Sequence, residues 1–553
     1  MFSLALRLAA LTFGLPQTVF ADELVSVVGA FRLLSDYSLV HNTFLYIPPL
    51  FAYILAPVFA LFGVLGILGG YFQDILAFKN YVLLHREEFL IAARFISALF
   101  GTATVYAAYR LGEYGISRRV GLLGALFLSI SFLHVHETQV GRFWGLATFF
   151  VVMGAYAILR MYREGSRRWY FLSALLIGLG FGMGYVPLVL VPWFVAAHIV
   201  RLRASGGAVE EQRREERRTF GYAFVLMSSL IGLFSWANMY AFRRQFGWLV
   251  GSFLNIFGTS LTNLTPKPIN LSIFENVRDI TAFLGSENAF LVLAGFIGFA
   301  GFARISEKSK RFEYSLFAGV PIVYLLGMTF GFSVIEHRFI LPALPFILLG
   351  ASYLFFYAWE YGVTGRGALV LAYALGVIWY SVMPTSMYVR LLQKPDTRIQ
   401  AFEWVFSNLP HESTVALDVR NTFLPVTKES IRFTEAVSPF WLNTRDRLLL
   451  TLPDAEYPRP AYHVFDRNHL PADTLRLEEI SHGYYILGFW DSQDRTRMLA
   501  LPRDARLAAK FYPAESGASL RDIFQDPLRP TDTLRAIEFS GPFIEIYEFG
   551  KSK

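Results

Sequence analysis

The stretch Phe143-Trp144-Gly145-Leu146-Ala147-Thr148-Phe149-Phe150-Val151-Val152-Met153-Gly154-Ala155-Tyr156-Ala157-Ile158-Leu159-Arg160-Met161-Tyr162-Arg163-Glu164-Gly165-Ser166-Arg167-Arg168 decides how the chain is read. From Phe143 to Leu159 there is no charge, a run close to the ~20 residues that cross a bilayer. Four arginines follow at once, and the apolar texture resumes at Trp169. An uncharged run closed by a short basic loop is the pattern of a membrane span ending on the cytoplasmic side. The whole composition agrees. Of 553 residues 54% are hydrophobic, 17% aromatic and only 17% charged, with mean hydropathy +0.42; soluble domains carry roughly 45–50% apolar and about 25% charged residues. A cytosolic enzyme, a disordered chain and a repeat solenoid are excluded. There is no cysteine, so disulfides, thiolate nucleophiles and cysteine-ligated zinc are excluded as well.

Working outward, apolar stretches continue to about residue 390. Beyond Pro395 short β-rich runs such as Val415-Ala416-Leu417 and Tyr484-Tyr485-Ile486-Leu487 alternate with Pro, Asp and Asn. Residues 395–553 carry a net charge of −4 and the first 394 a net of +11, so the basic excess belongs to the membrane half. We expect a polytopic α-helical membrane domain over 1–390 and a soluble α/β domain over 391–553. The expected spans, about eleven, are 3–20, 89–110, 119–136, 143–161, 169–185, 187–200, 220–240, 289–304, 314–332, 339–358 and 367–388. Simple alternation puts Arg110, Arg118 and Arg119, then Arg160 to Arg168, Arg201 to Arg218, and Arg304 to Arg311 on one face, which is cytoplasmic. The C-terminal domain then emerges on the outer face. Residues 44–69 are apolar enough to span, but counting them with 3–20 inverts the charge pattern; they read as a helix or hairpin on the outer face. Two rivals keep the parity. Residues 1–20 are a cleaved signal peptide, or 44–69 spans while 1–20 does not, which would put Asp22 inside.

Several residues could carry chemistry. Asp22-Glu23 follows the first apolar segment, either as a plain polar stop or as a carboxylate pair at a cavity mouth, fit to act as a general base or to hold a divalent cation. His134, His136 and Glu137 end a span; spacing of three sets His134 and Glu137 on one helix face, as metal ligands or as interfacial polar residues. Arg338, beside His337, and Arg142 stand where spans meet the outer surface, either forking onto phosphate oxygens or anchoring to headgroups. The loop 241–288, with Arg243, Arg244, Lys267 and Arg278, is too long for a simple connector. The run Glu210 to Arg218 alternates sign at i,i+4 and reads as a solvated helix start rather than a nucleic-acid patch.

Five stretches in order resemble one family. They are Arg7-Leu8 through Phe13-Gly14-Leu15-Pro16 to Asp22-Glu23; Pro48-Pro49-Leu50 to Leu61-Phe62-Gly63; Ala93-Arg94-Phe95-Ile96-Ser97-Ala98-Leu99-Phe100-Gly101; Gln139 with Arg142 to Trp144; and Glu336-His337-Arg338-Phe339-Ile340-Leu341-Pro342-Ala343-Leu344-Pro345. Together they resemble the polyprenyl-phosphate-sugar-dependent GT-C glycosyltransferases, above all the bacterial relatives of the protein O-mannosyltransferases and the lipid A aminoarabinose transferase. The resemblance covers roughly 1–390. It implies a GT-C-like fold and a sugar donor on a polyprenyl phosphate. It implies Asp22 as catalytic base or metal-binding residue, with Glu23 helping to hold the site. Arg338, His337 and Arg142 would bind the donor phosphate; His41, Tyr46 and Tyr185 would line the cavity. Relatives often place an acid beside the matched arginine. Here Val140, Phe143 and Trp144 stand instead, and Glu137 is the nearest acid; a divalent cation (Mg or Mn) is the cofactor this leaves open.

The expected function is an inverting glycosyltransferase of the cytoplasmic membrane, moving a sugar to an acceptor hydroxyl of a lipid, glycan or protein on the outer face, with no nucleic-acid partner. The alternative is a secondary transporter or lipid flippase, which predicts charges at mid-membrane and repeat symmetry between halves. A non-catalytic envelope scaffold is the third reading, and it separates Asp22 from Arg338 in space.

Overall fold

A computed structural model describes residues 1–20, 22–36, 49–204, 210–238, 273–304, 310–332, 335–360, 365–471, 474, 477, 480–491, 501–515, 520, 522–524 and 530–550. The candidate cavity residues His41 and Tyr46, and Arg243, Arg244 and Lys267, lie outside them. Among the described residues eight helices are long and apolar enough to cross a membrane, nine if the pair Arg118–Ile130 and Phe132–Gln139, bent by 60°, is one span. Arg167–Phe181 and Leu344–Glu360 are shorter and pack among them.

The basic loops do gather at one face. Arg163 pairs with Glu313 at 2.7 Å, Arg201 with Glu216 at 3.1 Å and Arg119 with Glu360 at 3.8 Å. The Tyr114 hydroxyl reaches Glu164, and Arg201 donates to the carbonyl of Tyr162. Arginine near span ends satisfies the last carbonyls and the neighbouring carboxylates together.

At the opposite face the expectation for 3–20 is corrected. The first helix is only Phe2–Leu8, 7 residues, about 10 Å at 1.5 Å per residue. A turned segment follows, so these residues form no continuous span. Irregular backbone at membrane depth must be satisfied by protein. Arg94 does this by donating to the carbonyls of Leu11 and Phe13 at 2.9 and 2.7 Å, and Gln139 by donating to that of Leu6.

The helix Leu50–Leu68 is long and apolar enough to cross, with hydropathy 2.4. Its contacts are made at the far-face ends of other helices. The Leu50 amide donates to Gly182 at the end of one span, while Phe59 and Phe62 pack on Phe89 at the start of another. The chain then continues into Ile75–Leu84, which packs against the Thr444–Thr451 helix of the C-terminal region.

After Arg366–Leu391 come the helix Thr397–Asn408 and a five-stranded sheet. Its strands are β1 (Thr414–Asp418), β2 (His463–Asp466), β3 (His482–Phe489), β4 (Arg506–Phe511) and β5 (Phe543–Gly550), in the order β2-β1-β3-β5-β4. β1 runs parallel to β2 and β3; β5 runs antiparallel to β3 and β4. This region docks on the turned N-terminal segment. Gln17 exchanges two hydrogen bonds with the Phe423 backbone, at 3.0 and 2.6 Å, and Phe524 packs against Phe13, Phe20 and Tyr388.

Candidate functional site

Two broken helices shape the far face. The span beginning at Arg118 stops at Ile130 because Ser131 adopts an extended backbone and caps a second helix, Phe132–Gln139. A second capping group comes from elsewhere. Both oxygens of the buried Glu287 carboxylate accept at this N-terminus, from the Ser131 hydroxyl at 2.6 Å and the Leu133 amide at 2.8 Å. A carboxylate here complements the unsatisfied amides and the helix dipole. Glu287 is brought there by a kink in its own helix, where Asn288 leaves helical geometry and accepts from the Leu291 amide. Space for the short helix comes from two glycines: a Cβ at Gly101 or Gly145 would stand 2.5 or 2.7 Å from Thr138.

The short helix presents two histidines differently. His134 turns toward Phe2–Leu8 and hydrogen-bonds Arg7 through Nδ1. His136 and Glu137 face the turn His337–Ile340: Glu137 Oε1 lies 3.0 Å from His136 Nδ1, 3.1 Å from His337 Nε2 and 3.8 Å from Arg142. All four side chains are buried. Of the expected grouping of His134, His136 and Glu137, the last two stay together and meet His337, while His134 turns away to Arg7. Helical spacing placed His134 and Glu137 on one side, but the neighbours on that side differ over one turn. His337, expected at the donor phosphate together with Arg338, points into this buried cluster.

Its neighbour points the other way. Arg338 Nη2 reaches Asp22 Oδ2 at 3.3 Å and Glu336 Oε2 at 2.5 Å; the Arg338 side chain is 12% exposed and that of Asp22 48%. Asp22 has φ +67°, an αL conformation uncommon outside glycine, asparagine and aspartate. It ends the turned segment and precedes the helix Glu23–Asp36.

Glu23 is fully buried. Arg94 grips it with Nε and Nη2, both at 2.8 Å, and the Gly141 amide donates to Oε1 at 2.7 Å. Nothing in this arrangement lets Glu23 meet a solvent-borne group. Sequence reasoning treated Arg94 only as part of a span; a lone arginine inside an apolar run was the available signal. Glu287, close before another span, carried the same signal. Tyr185 is half-buried and packs on Phe181.

With this geometry in hand, comparison with known proteins gives one family. Residues 81–205 match the model of the Dolichyl-phosphate-mannose-protein mannosyltransferase family. This segment holds Arg94, His136, Glu137 and Arg142, and leaves out Asp22 and Arg338. No curated protein matches. Among solved structures, ArnT from Cupriavidus metallidurans bound to undecaprenyl phosphate is 11% identical over 99% of this chain and 96% of that one, with a TM-score of 0.45. The archaeal oligosaccharyltransferase AglB from Archaeoglobus fulgidus, in complex with an inhibitory peptide and a dolichol-phosphate, is 12% identical over 72% of this chain and 58% of that one, with a TM-score of 0.40. The arabinofuranosyltransferase AftD from Mycobacteria is 16% identical over 86% and 36%, with a TM-score of 0.29. Over residues 81–205 the chain is similar to that mannosyltransferase family, and its long apolar helices are those of a multi-pass membrane protein.

Proposed function

We propose that the chain is an inverting glycosyltransferase whose donor is a sugar on a polyprenyl phosphate and whose acceptor is a hydroxyl at the outer face of the cytoplasmic membrane. The observation that carries this reading is the meeting of Asp22 and Arg338, 316 residues apart, at one half-exposed spot on the face away from the basic loops. The scaffold reading separates them, and its discriminating observation goes against it.

In the proposed step the Asp22 carboxylate takes the acceptor hydroxyl proton as the oxygen attacks the anomeric carbon. The bond from that carbon to the phosphate oxygen breaks, and the electron pair leaves with the polyprenyl phosphate. Arg338, given up by Asp22 as substrate enters, forks onto the departing phosphate. Arg142 lies deeper, beside Glu137. Glu23 is a positioning residue that holds the start of the Asp22 helix. The C-terminal α/β region, on the same face, shapes access for the acceptor.

Transport is the second reading, and the buried Glu287 is the feature nearest to its requirements. Both its oxygens are engaged at a helix N-terminus, which supports a structural role instead. The test is transfer by membranes carrying the chain, given a panel of radiolabelled prenyl-linked sugars with envelope extract. Normal transfer by Asp22→Asn eliminates the base role.

A further inference from the structure

We propose that His136, Glu137 and His337 form a divalent-metal site that takes zinc, clipping the bent span to the turn that carries Arg338. This does not rest on the sugar-transfer reading. The three side chains come from two places 200 residues apart, and their ligand atoms lie within 4.8 Å of one another. Zinc bound tetrahedrally at 2.0–2.2 Å from nitrogen and oxygen keeps neighbouring ligand atoms about 3.3 Å apart. The separations from Glu137 Oε1, 3.0 Å to His136 and 3.1 Å to His337, are within a few tenths of that. Small shifts convert the hydrogen-bonded triad into a ligand set.

Unmet demand for a cation is visible in the same cluster. Glu137 Oε2 is buried and has no hydrogen-bond partner among the described residues. Leaving a carboxylate oxygen in this condition costs free energy that a metal ion would recover. Tyr388, whose ring packs 5.3 Å from that of His136, also buries a hydroxyl that has no partner among the described residues. Two imidazoles and one carboxylate suit zinc better than the all-oxygen shells of magnesium or calcium. The Arg142 guanidinium, 3.8 Å from Glu137 Oε1, opposes a second cation and lowers the affinity below that of the ligands alone. The consequence is mechanical. His337 and Arg338 share one short turn, so holding His337 on a metal fixes the backbone from which Arg338 reaches Asp22.

The test uses the full chain purified in detergent, stripped with EDTA, reloaded with zinc alone and gel-filtered before metal counting by mass spectrometry. About one zinc per chain is expected, and cobalt(II) loading is expected to give the visible absorption of a tetrahedral site. His136→Ala and His337→Ala are expected to weaken zinc binding by at least tenfold, while His134→Ala, which removes a side chain turned to Arg7, keeps it. Should the site variants elute as aggregates, the wild-type zinc count and cobalt spectrum decide. A folded wild-type chain that carries no zinc after loading, or His136→Ala and His337→Ala that bind it like wild type, overturns the proposal. Sugar transfer is not the readout, so loss of one reading leaves the other standing.

Discussion

Asp22 and Glu23 are adjacent, both acidic and both paired with an arginine, yet their surroundings make them different objects. Glu23 meets Arg94 in the buried interior, bidentate, with Nη1 of the guanidinium directed to two backbone carbonyls. Asp22, half-exposed, meets Arg338 by a single 3.3 Å contact, and Arg338 is shared with Glu336. A buried pair is dear to break because removing one partner leaves the other charged and unsolvated. An exposed pair contributes about 0–1 kcal/mol and opens readily. One arrangement is suited to hold the fold, the other to exchange a partner for a substrate.

The comparison breaks most sharply at Arg94. Arg94→Met strands the Glu23 carboxylate and frees two carbonyls; a loss of about 3–5 kcal/mol is expected, read as a fall in unfolding midpoint in detergent. Adding Glu23→Gln to it should recover part of that loss. Asp22→Asn is expected to do the reverse. Unfolding should change by less than about 1 kcal/mol, while transfer falls about a hundredfold, or about 2.7 kcal/mol. Equal destabilisation by the two substitutions would erase the distinction. Arg338→Lys keeps the charge but loses the fork, so KM for the prenyl-phosphate donor is expected to rise about tenfold with kcat little changed.

The smallest effect concerns pH. Burial pushes the Asp522 carboxyl above the usual carboxylate range, partly offset by Arg398, whose own charge is already matched bidentately by Asp396. Its folded pKa is raised, so the native state holds the proton more tightly than the unfolded chain. That contribution is present at low pH and is lost as pH rises through the raised value. Asp522→Asn should therefore flatten the fall in unfolding midpoint from about pH 4 upward, measured by thermal scans across pH.

Legibility in the sequence followed the range of the interaction. Val415 to Leu417 and Tyr484 to Leu487 read as strands and are strands, because a short apolar β-branched run bounded by turn formers needs no distant partner to declare itself. The helix Leu50–Leu68 was placed on the outer face only because the basic loops had to share a side. The short helix after Ser131 was read as the tail of one span, since nothing local announces that Glu287 will cap it. His337 and Glu137 could not be joined by any periodicity, being 200 residues apart in sequence.

By itself the sequence determined a multi-pass chain, the face on which its arginines gather, and the site of the change to a sheet. These follow from how many apolar side chains stand in a row and how charge is spread between the rows, both additive properties along the chain. Tertiary structure alone decided which carboxylate is interred and which is offered to solvent, and which histidine joins Glu137. The first outcome rests on Arg94 and the Gly141 amide meeting Glu23, the second on a bend of 60° at Ser131. A rotation of one helical position exchanges one neighbour for another, and only packing selects the rotation.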